Sequence, residues 1–299
     1  MNKLLGALGG NRAADAFRKT VSGDPSGAPE WSKQMAIGND AGLFGPNSAV
    51  WEVHGCIATL VGGIRALLMQ AAHPAALTGV AEHSAYDTDP LGRLERTTRW
   101  LTITSFGSTE AIEIEARRVR EMHKRVTGTY EEKSGAQSHY SASDPRYLLW
   151  VHCAFTDSFL RAHEELGYPL PQGASQYVRE WSKSAEPLGL VGAPLSQEEL
   201  SDVMASFAKK EVTSIAMTPP IVGFILKPPF SKGGLFFYRI LANAAIATID
   251  EPFLSVLGLK PRSKNWLRIS RVLLDFLSYM LGHESPSQKI ARQRINSLQ

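Results

Sequence analysis

Eight histidines carry the first hints of chemistry, and their spacing separates them. His123 lies four positions after Val119 and three before Val126, so its ring shares the apolar face of a helix that also carries Ile112 and Met122. That placement suits a hydrogen-bonded core histidine, and it equally suits an axial metal ligand facing an apolar cavity. His73 stands before Pro74, where a helix ends or kinks, and reads as a helix cap or a pocket residue. His83, in GVAEHSAYD, either reaches a pocket or caps a turn. His152 lies four after Leu148 and three before Phe155, so it faces the core with structural and functional readings both open. His54 sits in a strongly apolar segment and reads as structural. His139, His163 and His283 lie in polar surroundings and are expected to face solvent.

Arg93, Arg96 and Thr97 fall at i, i+3 and i+4 and share one helical face that continues to Trp100. A charged face is ordinarily solvated, but Trp100 and Phe106 argue that this helix is substantially buried. Buried arginines require anionic or acceptor partners: a pocket carboxylate, a polar substrate or the propionates of a haem. Arg65, flanked by VGGI and ALLM, raises the same question.

Several chemistries are excluded. The chain lacks GxGxxG, P-loop, GxSxG and HExxH motifs, which argues against nucleotide sites, α/β-hydrolases and zincins. No Glu stands three residues before any His, so a ferritin-like di-iron site is not expected. CxxCH is missing too, so any haem would be bound non-covalently.

The elements that must position these residues are helical. SAVWEVHGCIATLVGGIRALLMQAA, from Ser48, is apolar nearly all round and reads as a central helix, with a close approach or bend at Gly62 and Gly63. Asp89-Pro90 opens a helix that stops at Gly107, and Ser108 or Thr109 opens another that ends at Gly128. Asp144-Pro145 repeats the start signal, and that helix runs to Gly167. Further helices are expected at about 173–184, 197–210, 234–249 and 264–282, with a basic tail helix after Pro286. Sustained period-2 alternation is missing, so little or no sheet is expected. The reading is all-α, with a mixed, poorly packed lead-in over 1–40 and one helical domain over 41–299.

Composition sets the outer bounds. The 299 residues are 43% hydrophobic and 20% charged, ordinary values for a soluble globular protein. A net charge of +3, without dense basic-aromatic tracts, gives no footprint for nucleic acid. Cys56 and Cys153 sit in apolar contexts and read as small buried hydrophobes in a reducing compartment. The N-terminal run MNKLLGALGGNRAADAF is too weak for a secretory signal, and no apolar window reaches the roughly 20 residues of a membrane span. A cytoplasmic location is expected.

Taken together, five ordered blocks resemble the latex-clearing rubber oxygenases and the MpaB-type oxygenases. They are RALLMQ (65–70), HPAALTGVAEHSAYDTDPLGRLERT (73–97), FG (106–107), HKRVTG (123–128) and LLWVH (148–152). The resemblance implies an all-α, single globular multi-helix domain enclosing a haem pocket, with one non-covalent haem b. It implies His123 as the iron ligand and places Arg93, Arg96 and Thr97 along the opposite wall. Rubber oxygenases carry a Lys at the second basic position, where this chain has Arg96, so an iron capped by a side chain is not expected here. Those enzymes also use a distal Glu as base; Glu82 is the nearest carboxylate here, with His73 and His83 as rival polar groups, and polyisoprene cleavage is not carried over.

The expectation is therefore a haem b-dependent oxygenase or oxidase acting on a small or lipophilic organic substrate with O2 or peroxide. His123 would bind iron. Arg65, Arg93, Thr97 and His152 would hold the cofactor, with Arg65 or Arg93 pairing the propionates. Arg96, His73 and His83 would polarise oxygen or handle protons. A haem-binding sensor or carrier without turnover is the alternative.

Overall fold

The computed structural model describes residues 18–19, 24–84 and 89–298. The N-terminal run at 1–17 and the middle of the second block, 85–88, lie outside them. Among the described residues the chain forms α1 (Ala49–Gly55), α2 (Thr59–Ala71), α3 (Pro74–His83), α4 (Pro90–Phe106) and α5 (Thr109–His123). A hairpin of β1 (Thr127–Glu131) and β2 (Gln137–Ser141) follows, then α6 (Pro145–Glu165), α7 (Ala174–Trp181) and α8 (Gln197–Lys210). The remainder is α9 (Thr218–Leu226), α10 (Lys232–Ala247), α11 (Glu251–Val256), α12 (Asn265–Leu281) and α13 (Pro286–Asn296).

Local capping chemistry sets most helix starts. Asp89 accepts from the Gly92 N–H at 3.0 Å and Asp144 from the Arg146 N–H at 2.8 Å. Ser108 accepts from the Ala111 N–H at 3.1 Å. Each side-chain oxygen satisfies a first-turn N–H that has no partner within its helix.

The hub is α2, which packs against α3, α6, α9 and α10. It runs antiparallel to α6: Gly62 meets Phe159, Arg65 donates to the Ser158 hydroxyl at 2.9 Å, and the His73 ring lies 5.5 Å from that of Trp150. Leu68 and Met69 are fully buried in the main core, each contributing about 1.5–3 kcal/mol by leaving water.

Four details depart from expectation. The bend in the long apolar segment, 91° between α1 and α2, falls at 56–58 rather than at the glycine pair. Gly62 makes the close approach that was the other reading of the pair, since an added Cβ would stand 2.7 Å from the Phe159 ring. Helix α5 ends at His123, and Thr127 already pairs with Ser141 across the antiparallel hairpin. The lead-in is better packed than its composition suggests, because a 3-10 turn at Glu30–Ala36 seats Trp31 and Met35 in the core. His163 is fully buried, a correction to its expected solvent exposure: its Nε2 bonds the Pro169 carbonyl at 3.0 Å, a partner supplied by the following turn. His139 and His283 are exposed. Among the described residues no single helix is long and apolar enough to cross a membrane. Cys56 and Cys153 are free thiols, pushed up to about 11 and about 12, both chiefly by burial.

Candidate functional site

A cleft follows from the way α4 is held. Its last turn, Ile103 to Phe106, is completely buried, and Ser105 bonds the His54 Nδ1 at 2.9 Å. Over Gly92–Thr102, by contrast, no residue is fully buried. The helix is anchored at its C-terminal end and is only partly covered for about three turns before it, roughly 16 Å at 1.5 Å per residue.

The opposite wall shows the same opening. Along α2 the partly accessible positions are Thr59, Leu60, Gly63, Leu67 and Gln70, while every other position is buried. Residues 60, 63, 67 and 70 form one helical face. Gly63 looks onto open space, with nothing within 4 Å of where a Cβ would stand. At the end of this stripe Gln70 receives the Arg93 guanidinium at 3.2 Å, bridging the two walls.

Register sets four polar groups at about the same height along their helices. The α4–α5 turn at Gly107–Ser108 and the Arg99–Glu115 pair at 2.9 Å run the two helices antiparallel. Counting back along them sets His123 level with Arg93. The α2–α6 contacts set His152 level with Gln70 in the same way.

The electrostatics of these groups differ. His123 is half-buried and its ring has no hydrogen-bond partner among the described residues; burial lowers its pKa and favours the neutral imidazole. His152 is likewise without a ring partner and is pushed down to about 4 by burial. Arg93 is pushed down to about 10, by burial first and by the nearby Arg96 cation second, so it stays charged at neutral pH. It has no carboxylate partner among the described residues. Thr97 lies one turn along the same face and donates to the Arg93 carbonyl at 3.2 Å.

Other expected site residues are engaged elsewhere. Arg65 is fully buried but pairs with Asp157 at 2.7 Å and donates to Ser158 and the Thr248 carbonyl, on the far side of α2 from the accessible stripe. His73 caps α3 by accepting from the Ala75 N–H at 3.2 Å, and its Nε2 meets Glu211 at 3.0 Å, so both ring nitrogens are taken. His83 is exposed, with Nε2 3.1 Å from the Thr127 carbonyl. Arg96 is exposed at the outer edge of α4, 3.3 Å from Asp89. Glu82 accepts from the Tyr140 hydroxyl at 2.8 Å, against the hairpin.

Sequence reading missed Gln70 as the partner of Arg93, although it closes the RALLMQ block one helical face along from Leu67. Asp157 and Glu211 were missed as well, because they lie 92 and 138 positions from Arg65 and His73 and no local pattern links them. Among the described residues no three His, Cys, Asp or Glu side chains converge to hold a metal ion directly.

A family model described as ER-bound oxygenase mpaB/B'/Rubber oxygenase, catalytic domain, matches residues 51–278. No curated protein and no solved structure matches the chain.

Proposed function

The chain belongs to the family of mpaB-type and rubber oxygenase catalytic domains, and from that premise we propose that it is a haem b-dependent oxygenase or oxidase acting on a small or lipophilic organic substrate with O2 or peroxide. The observation that carries the cofactor assignment is a set of unspent groups at one level of the cleft. His123 offers a neutral ring with no competing partner, and Arg93 is a desolvated cation facing a neutral amide instead of a carboxylate. A flat apolar macrocycle with anionic arms would need a base for its iron, a cation and an apolar wall. The stripe of Leu60, Gly63 and Leu67 supplies the wall, so the residues present fit the group.

Bound haem supplies a redox-active iron that activates the oxidant. The chain's own residues do the rest. His123 would offer its ring nitrogen to the iron, burial favouring the unprotonated form. Arg93, steered by Gln70, would neutralise a carboxylate arm, and Thr97 bonds the Arg93 carbonyl of α4. His152 borders the site as a neutral polar group whose ring can accept or donate one hydrogen bond. Arg96 and His83 stand exposed at the outer edge, beside Asp89 and the Thr127 carbonyl. His73 and Arg65 receive no part in the chemistry, because their polar atoms are already engaged. The apolar stripe favours a substrate of low polarity.

Haem titration into the purified protein tests this reading. The wild type is expected to develop a Soret band, and His123→Ala to lose about tenfold or more in affinity while far-UV circular dichroism stays unchanged, since the ring makes no bond that the fold needs. An identical Soret spectrum in the variant removes His123 as ligand.

A further inference from the structure

Two helices of the C-terminal third expose apolar side chains that a water-soluble surface normally avoids. On α12, Ile269, Val272, Phe276 and Tyr279 are 47%, 72%, 60% and 79% exposed; on α10, Phe236 and Phe237 are 63% and 52% exposed. The helices pack together, with the Ser270 hydroxyl donating to the Ile240 carbonyl at 3.2 Å. The inner face of α12 is accounted for by buried Leu267, Ser270 and Leu274. The outer face has no covering element among the described residues.

Charge says what covers it. Residues 227–271 hold eight Lys and Arg against two acidic side chains, Asp250 and Glu251. Lys264 and Arg271 are paired, with Glu165 and Asp275. Lys227, Lys232, Arg239, Lys260, Arg262 and Arg268 are exposed and have no carboxylate partner among the described residues. Spacing sets cations and apolar residues on the same stripes: Lys232, Phe236 and Arg239 at i, i+4 and i+7, and Arg268, Val272 and Phe276 at i, i+4 and i+8. A second copy of this chain would bring like charges together. An anionic bilayer meets both features at once, phosphate groups facing the cations and acyl chains receiving the aromatic rings.

We propose that the outer face of α10 and α12 docks peripherally on a lipid surface rich in anionic headgroups. Cosedimentation with vesicles tests it, using phosphatidylglycerol mixed with phosphatidylcholine against phosphatidylcholine alone. The protein is expected to sediment with the anionic vesicles and to be released by high salt. Lys232→Glu with Arg268→Glu is expected to weaken binding about tenfold or more, and Phe236→Ser with Phe276→Ser to do the same at unchanged thermal stability, since all four side chains lie on the outer face. No binding to anionic vesicles overturns the proposal, as does equal binding to neutral ones. A salt-insensitive dimer that Val272→Glu dissociates assigns the face to a second copy instead.

Discussion

His54 is held neutral by its surroundings, with its pKa pushed down to about 3 by burial first and by the nearby His163 second. Its nitrogens meet the Tyr177 hydroxyl and the Ser105 hydroxyl, each at 2.9 Å. In the unfolded chain the same ring titrates near its ordinary value of about 6.5, so below that pH the unfolded state binds the extra proton. The stability that His54 contributes is therefore complete above about pH 6.5 and is lost as pH falls toward 3, at up to about 1.4 kcal/mol per pH unit. Urea unfolding at pH 7 and pH 5 is expected to show this loss, with a shallower slope in His54→Gln. An equal slope in the variant would assign the acid sensitivity to other groups. The structural role of His54 was legible from its apolar neighbours. The burial of His163 was not, because the carbonyl that satisfies it belongs to a turn six residues on.

Helix α2 tests how much of an element local sequence can specify. Its two adjacent glycines look alike in sequence and behave oppositely in packing. Gly62→Ala would drive a methyl group into the Phe159 ring and backbone of α6, with an expected loss of about 1–3 kcal/mol. Gly63→Ala meets nothing and should stabilise the helix by up to about 1 kcal/mol, while Gly63→Leu would fill the cleft and reduce haem uptake without unfolding the protein. Thermal unfolding of the two alanine variants separates them, and shifts of the same sign would contradict this packing. Helix starts at Asp89, Ser108 and Asp144 could be read because a cap acts over three residues. The hairpin could not, since its five-residue strands are too short for a period to register and only Tyr130 and Tyr140 are buried along them. The 91° bend follows directly on Gly55, the last residue of α1, a signal that the more conspicuous pair at 62 and 63 masked.

At the scale of the molecule, the two described ends of the chain hold each other. The Arg294 guanidinium of α13 donates to the carbonyls of Met35, Asp40 and Phe106 and is almost fully buried. Arg294→Met leaves those carbonyls without donors and is expected to cost roughly 3 kcal/mol or more, read as a lower urea midpoint with an unchanged slope. That clamp holds the buried C-terminal turn of α4. The all-α class was legible from helical periodicity, whereas this closure joins residues 259 positions apart and has no sequence signature. The other end of α4 is joined to α2 through the Arg93–Gln70 bond. One helix thus has a fully buried root and a partly accessible N-terminal stretch tied to α2 by Arg93 and to α5 by Arg99. Were the proposed haem to bind beside that stretch, it would meet a chain that has already folded, with no need to dismantle the core. On that reading, possession of the cofactor would be a matter of supply and exchange rather than of folding.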